Sequence, residues 1–445
     1  MTGKLLRYDN CVTWCVRIIL GSTFIFSGFV KAVDPWGFLY KTKEYLAALS
    51  LDIWPNLLLV GVFILCAVEF MIGICLIMGC FRRSIAWLTL LTMCFMLPLT
   101  LWLAMDDPVK DCGCFGDAFK ISNWTSFWKN VVLTAGAIWL VVFNRKAGWL
   151  VTPALQWLVL LSGSVYIIII ELFGYNSQPL IDFRNYKNGS PLIEKIQPDN
   201  NEKYLFVYEK DGITKEFTED EALPDETDGW KFIDRKVVEG TNSDLSDGNE
   251  SRDFRIWSLD GEEDLTEDVI SDTEKELIVM MPELKAVSPA TTWKINSLYE
   301  WADIHDIIMI AVVSGSKKEI ADWMDISMAS YPVYTADDTQ IKEVVRGNPG
   351  IVYLENGLIV WKSTLGALNI DDFLSPEISD DAKSFGIDNP RVLRNCTYIF
   401  IILMTVLILM SFVPRVKLMY FKSYPKHPTE DELGMTHEIH KDENS

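Results

Sequence analysis

The chain has 445 residues, 49% of them hydrophobic, and a mean hydropathy of +0.16; it is too long for one ordinary domain and too apolar for a wholly water-soluble protein. Its formal net charge of -21 comes from acidic residues crowded between about 175 and 390 and in the C-terminal stretch, so charge and apolarity occupy different segments. No basic stripe is left to neutralise phosphates, which argues against nucleic acid as a partner.

Six runs are long enough to cross a hydrocarbon core, which takes roughly 20 apolar residues as a helix. They lie near 11–33, 55–80, 84–105, 127–145, 151–173 and 396–413. Several show no polar face, which argues against buried helices of a soluble core. The first run follows Lys4 and Arg7 but is long and is not closed by a small-x-small cleavage pattern, so it reads as an uncleaved span. Basic clusters at Lys4 and Arg7, Arg82 and Arg83, Arg145 and Lys146, and Arg415, Lys417, Lys422 and Lys426 all fall on one side of a six-span arrangement. By the positive-inside rule that side is cytoplasmic, and the other side receives the 106–119 loop and the whole 175–395 segment. Trp36, Tyr40, Trp54, Trp102, Trp124 and Tyr175 are then expected at the outer interface.

Arg17, Glu69 and Glu171 lie inside apolar runs, and Lys31 stands near the end of the first. Such groups normally face a bundle interior with a partner. Arg17 on the first span is expected to reach Glu69 on the second, as a structural ion pair in preference to a proton relay, Lys31 to snorkel to the interface, and Glu171 to meet headgroup water. The small residues Gly21, Ser22, Ser27 and Gly28 predict close helix approach on the first span.

Of nine cysteines, Cys11, Cys15, Cys66, Cys75, Cys80, Cys94 and Cys396 lie in or beside apolar runs. Cys112 and Cys114 alone occupy a polar loop, DDPVKDCGCFGDAF, residues 106–119, and residues 115–395 contain no thiol. Thiols at i and i+2 around Gly113 can close a small, strained disulfide that would pass its oxidation onward, in a compartment that permits disulfide chemistry. Asp106, Asp107, Asp111 and Asp117 flank the pair and are expected to raise the thiol pKa values, with Lys110 offsetting part of that. The alternative is a tight structural turn in which Gly113 and Gly116 allow Phe115 to pack on the bundle. A metal site needs more than two sulfurs, and His305, His427, His437 and His440 all lie far away in sequence, so none is expected. Cys396, at the outer start of the last span, is either a third thiol or a small apolar packing residue.

Beyond the fifth span, KYLFVYEK and ITKEFT around Asp211-Gly212 predict a hairpin, and TNSDLSDGNES, 241–251, a linker. Then ELIVMM, a helix over 292–304, IIMIAVV, a helix over 317–328, and two strands around Asn356-Gly357 predict an α/β layer closed by a hairpin.

The pattern Arg17-x-x-x-Gly21, Ser27-Gly28-x-x-Lys31-x-x-Asp34-Pro35, Glu69 and DCGCFGD, 111–117, resembles the DoxX-like superfamily, and especially its MauE branch, over residues 8–175. That branch is implicated in maturation of methylamine dehydrogenase, a disulfide-rich periplasmic enzyme, and the superfamily includes a subunit of a thiosulfate:quinone oxidoreductase. The resemblance implies redox chemistry at the outer membrane face, and a quinone as cofactor by that route alone; the residues themselves make no cofactor evident. Residues 252–376 resemble the thioredoxin-like fold, in its peroxiredoxin or TlpA-like branch, through Asp253-Phe254-x-Ile256, Asp260-Gly261 and Gly347-Asn348-Pro349. Pro349 stands where that fold keeps a cis-proline beside its active site. The CxxC position instead reads PELKAVSPAT, 282–291, so this segment can run neither dithiol exchange nor peroxide reduction. It is expected to hold an extended peptide at Pro349, or to serve as a scaffold.

The expected fold class is a membrane all-α bundle with an extracytoplasmic α/β thioredoxin-like domain and a preceding β-rich segment. The expected units are a five-span domain at 1–175, a β-rich segment and linker at 176–250, a degenerate thioredoxin-like domain at 251–378, a sixth span at 396–413 and a cytoplasmic tail at 414–445. The expected setting is the bacterial cytoplasmic (inner) membrane, with the bilayer and an extracytoplasmic protein client as partners. Two functions stand: thiol/disulfide or electron transfer through Cys112 and Cys114, supported by Asp111, Gly113, Phe115, Gly116 and Asp117, or non-catalytic assembly around a structural turn.

Overall fold

The computed structural model describes residues 2–51, 53–109, 112–143, 148–193, 204–210, 213–218, 231–237, 254–270, 274–369, 382–386 and 389–423. Among them are the long helices α1 (Thr2–Val33), α3 (Pro55–Met78), α4 (Arg82–Asp106), α5 (Asn123–Phe143), α6 (Gln156–Asn176) and a C-terminal helix, Asn389–Ser423. Each contains a stretch long and apolar enough to span a membrane, six in all. The chain is a multi-pass membrane protein.

The helices α1 and α3 pack backbone to backbone. A Cβ at Gly28 would stand 2.5 Å from Phe70 N and 2.8 Å from Cys66 O, so only glycine allows this approach. A short helix, α2 (Pro35–Ala48), follows α1 where hydropathy predicts only a loop. It starts because Asp34 Oδ1 accepts from Gly37 N at 3.0 Å while Pro35 fills the first helical position. The fourth span begins at Asn123, four residues before its apolar run. Asn123 is buried because its Nδ2 donates to Asp107 Oδ1 and to Val109 O, both at 2.8 Å.

Three antiparallel strands, β1 (Tyr204–Lys210), β2 (Ile213–Thr218) and β3 (Lys231–Val237), form a sheet of order β2-β1-β3, with Phe206 opposite Phe217. The Asp211-Gly212 turn and the 241–251 linker lie outside the described residues.

The second sheet belongs to an outer module that contains α7 (Thr266–Val269), β4 (Lys275–Met281), α8 (Pro289–Ile304), β5 (Ile308–Val313), α9 (Lys317–Ser327), β6 (Val333–Thr335), α10 (Asp338–Val344), β7 (Gly350–Glu355) and β8 (Leu358–Thr364). The C-terminal span is α11 (Asn389–Ser423). Strand order is β6-β5-β4-β7-β8, with β4, β5 and β6 parallel, β7 antiparallel to β4 and β8 antiparallel to β7. A parallel βαβ unit flanked by an antiparallel hairpin is the thioredoxin-like arrangement, and the Asn348-Pro349 bond is cis.

Both faces of this sheet are buried, so β4 reads as a continuous apolar run. Leu277, Val279 and Met281 join the core under α8 and α9, while Ile278 and Met280 join a core with Phe254, Ile256 and Ile341. The hairpin turns at Asn356 (φ 52°) and Gly357 (φ 73°), as an Asn-Gly pair favours. The segment after α6 straps the sheet edge: Gly189 N donates to Ile359 O at 2.7 Å, Leu192 N to Gly357 O at 3.1 Å, and Pro191 bridges Leu358 in antiparallel sense.

Candidate functional site

The loop between α4 and α5 folds back against α2. Gly113 has φ +57°, and a Cβ there would stand 3.3 Å from the Tyr45 hydroxyl, so conformation and space both call for glycine. Gly116 N donates to Gly113 O at 3.0 Å and opens a single 3-10 turn, Gly116–Ala118. Phe115 meets the edge of Phe26 at 5.4 Å between centroids, and Lys129 Nζ lies 4.0 Å from its ring centroid. The packed turn expected for Phe115 is therefore present, and it holds the two thiols at one end of the bundle.

Cys112 is 6% exposed. The thiols of Cys112 and Cys114 are hydrogen-bonded to one another, and Ser126 on α5 bonds Cys112 as well. The proton held by Cys114, against the opposing effect of burial, together with the Ser126 hydroxyl and the Lys129 charge, lowers the Cys112 pKa to about 6. Cys114 moves the other way, raised by its bond to Cys112 and then by burial. For Cys112 this reverses the expectation from the flanking aspartates. Asp107 is engaged by Asn123, and Asp117 Oδ2 takes Arg346 Nη2 at 2.7 Å. Asp111 and Lys110 lie outside the described residues.

The buried charges pair differently from the sequence expectation. Glu69 does not meet Arg17. Its carboxylate takes Lys31 Nζ at 2.8 and 2.9 Å, with both residues 3% exposed, so Lys31 turns inward and does not snorkel. Arg17 lies at the other end of α3, where Nε donates to Leu76 O and Nη1 to Gly148 O, both at 2.7 Å. Leu76 and Ile77, whose carbonyls Arg17 reaches, lie in the last turn of α3, where carbonyls lack intrahelical donors, so a guanidinium is well matched to them. Glu171 does not reach headgroup water; it is 1% exposed, and Oε1 has no hydrogen-bond partner among the described residues. Ser27 Oγ lies 2.8 Å from both Glu69 Oε2 and the Cys114 carbonyl oxygen, linking the ion pair to the thiol loop.

The outer module sits on the same end of the bundle. Arg346, immediately before Gly347-Asn348-Pro349, is 5% exposed and grips Asp34 with Nε at 3.0 Å and Nη2 at 2.8 Å, in addition to Asp117. Gln178 bonds the Arg346 backbone twice: its Nε2 donates to O at 2.7 Å, and its Oε1 accepts from N at 2.9 Å. Lys362 Nζ meets Asp182 Oδ2 at 2.5 Å, and Lys43 Nζ meets Glu283 Oε2 at 3.3 Å. Pro349 borders a crevice of about 230 Å³ whose opposite wall is Trp36, Tyr175 and Asn176 of the bundle. Trp36 itself is tied inward, with Nε1 donating to Tyr175 O at 2.8 Å. Cys396 packs at the edge of the bundle core.

Ser126, Lys129, Arg346 and Gln178 escaped sequence analysis. Only Arg346 carried a signal, as the cation directly preceding the Gly-Asn-Pro run. Residues 282–291 form a 3-10 turn at Leu284–Ala286 and the start of α8, capped by Ser288.

Two cavities test a quinone. The one beside Cys114 measures about 40 Å³, far below the several hundred Å³ of an ordinary organic-ligand pocket. A larger one of about 510 Å³ between the strap and α11 has no cysteine in its lining. Among the described residues, neither cavity combines quinone-sized space with the thiols.

Residues 9–143 match the family model described as methylamine utilisation protein MauE. This is the portion that holds the thiol loop, the Lys31–Glu69 pair and the Arg17 cap. Residues 202–239 match a domain of unknown function, DUF8463. No curated protein matches the chain. Among solved structures, the mitochondrial 2-Cys peroxiredoxin from Plasmodium falciparum is similar at 11% identity, over 33% of this chain and 88% of that one, with a TM-score of 0.20. The thioredoxin-like assignment of the module rests on its own strand order.

Proposed function

We propose that this MauE-like membrane protein carries out thiol–disulfide exchange with an extracytoplasmic protein client through Cys112 and Cys114, in the bacterial inner membrane. The observation that supports it is the asymmetry of the pair: two hydrogen-bonded thiols, one held near pKa 6 and its neighbour held protonated. A thiolate at neutral pH beside a resolving thiol is what attack on a disulfide requires. The basic clusters of the opposite loops support placing the thiol end and the outer module outside. In this reading the thiol-less module covers the pair and controls approach to it.

In the experiment, Cys112 and Cys114 are trapped with a maleimide reagent in intact cells, with reporter fusions at residues 115 and 300. A pair that alternates between trapped and protected forms, on the outer face, agrees with the proposal. A pair that never cycles, with a Cys112→Ser/Cys114→Ser variant indistinguishable from wild type, defeats it.

A second reading is a non-catalytic assembly protein with a structural turn. It is favoured by the burial of Cys112 and by the Pro349 crevice being walled by the bundle. Under it the double serine variant loses stability alone, while deletion of residues 252–376 abolishes partner capture.

A further inference from the structure

An ion pair buried within a membrane domain is costly to place, and it is retained where it has work beyond packing. Lys31 and Glu69 are such a pair, and Ser27 joins them to the backbone of the cysteine loop. A cavity of about 40 Å³ is lined by Ser27, Lys31, Glu69, Cys114, Lys129 and Asn130. A site of this polarity and size accommodates at least one water, for which roughly 10–15 Å³ suffices.

The proposed exchange has a step that these groups match. Cys112 thiolate attacks one sulfur of a client disulfide; that S–S bond breaks, a mixed disulfide forms, and the other client sulfur leaves as a thiolate. Cys114 must then attack Cys112: the mixed S–S bond breaks, the Cys112–Cys114 bond forms, and the second client sulfur leaves. The client gains two electrons and the pair loses two. Cys112 enters as an anion, but Cys114 enters with its proton, which must leave before the second attack.

We propose that Glu69, positioned by Lys31 and Ser27, accepts the Cys114 proton through water in this cavity and later releases it to the departing client thiolate. The inference rests on the exchange reading above and names the proton acceptor for its resolving step. Lys31 and Ser27 are positioning residues. The titratable groups around the path are Lys31 on α1, Glu69 and Cys66 on α3, Lys129 on α5 and Cys112 in the loop, with Glu171 on α6 beyond Cys66 and Lys41 and Tyr45 on α2 above Gly113. The lining residues of α4, namely Thr92, Met93 and Met96, do not titrate.

The full chain in detergent is mixed with an aromatic disulfide, dithiobis(nitrobenzoate), and the coloured thiolate is followed in time. Attack by Cys112 releases one equivalent; resolution by Cys114 releases a second, identified as the phase missing from Cys114→Ser. Glu69→Gln is expected to slow the second phase by about tenfold or more at neutral pH and flatten its pH profile, as loss of a general base does, with the first phase unchanged. Glu69→Asp is expected to recover much of the rate, and Ser27→Ala to give an intermediate loss. A second phase in Glu69→Gln with wild-type rate and pH profile overturns the assignment. Should Glu69→Gln fail to fold, Ser27→Ala decides, and an unaltered second phase there overturns it equally. The two proposals fail separately: a pair that never cycles in cells sinks the client reading while leaving a Glu69-dependent second phase intact.

Discussion

Two regions of this molecule differ in what they carry: one holds a pair of thiols, the other a thioredoxin-like sheet. The loop at 112–117 has the thiol pair on a helical bundle; the module at 254–369 has the thioredoxin-like sheet and cis-proline with no cysteine. In the loop, asymmetry between two thiols comes from a mutual hydrogen bond, Ser126 and Lys129. In the module, the corresponding segment is a helix start capped by Ser288 and carries no thiol. The difference teaches that a thioredoxin-like sheet can present a surface without carrying a thiol. Here that surface lies around Arg346 and Pro349 and meets the thiol-bearing end of the bundle.

The strongest way to break this pairing is to remove Arg346. Arg346→Met leaves Asp34 facing an apolar side chain and strips Asp117 of its partner, and breaking a buried pair in this way costs about 3–5 kcal/mol. The module is expected to loosen, with faster protease cleavage near residues 177–193 and faster maleimide labelling of Cys112. Unchanged cleavage and labelling would show that Gln178, Asp182 and Lys362 hold the two regions without it. A smaller effect is expected from Gly113→Ala. A left-handed φ costs a non-glycine residue roughly 1–2 kcal/mol, and the new Cβ presses on Tyr45. The expected result is a lowered melting temperature of the detergent-solubilised chain; no change would mean that the loop takes another path under α2.

Much of this architecture was legible in the sequence because it follows from one-dimensional patterns. Six apolar runs fix the spans, and alternating strands and helices with an Asn-Gly turn fix the module. What escaped depends on partners distant in the chain. Hydropathy cannot show that Lys31 lies inward, because that follows from Glu69 on the next helix. Nor can it show that Arg17 caps the end of α3, 59 residues on at Leu76 O. The flanking aspartates misled because their charge was counted without the side chains that engage it. Asp117 is neutralised by Arg346, 229 positions away. α2 is the instructive exception: its Asp34-Pro35 start is a local capping signal, visible to anyone reading caps and missed by hydropathy alone.

The finest test of the contrast lies in Ser126. If the loop's chemistry is made by its neighbours, then the alkylation rate of Cys112 should follow its thiolate with a midpoint near pH 6, against about 8.5 for a free cysteine. The sign is fixed by the chemistry: the thiolate reacts, so the rate falls as pH drops through the folded pKa and is level above it. Ser126→Ala deletes one hydrogen bond to the thiolate and leaves Cys114 and Lys129 in place. A bond of about 1 kcal/mol corresponds to a rise of roughly 0.7 pH units in the midpoint. A Cys114→Ala variant, which removes that donor, should move it further, since the Cys114 thiol is the largest single influence on Cys112. A midpoint near the free-cysteine value in the unaltered chain would mean that the bundle has no activated thiol, and the loop would then be as chemically silent as the module above it.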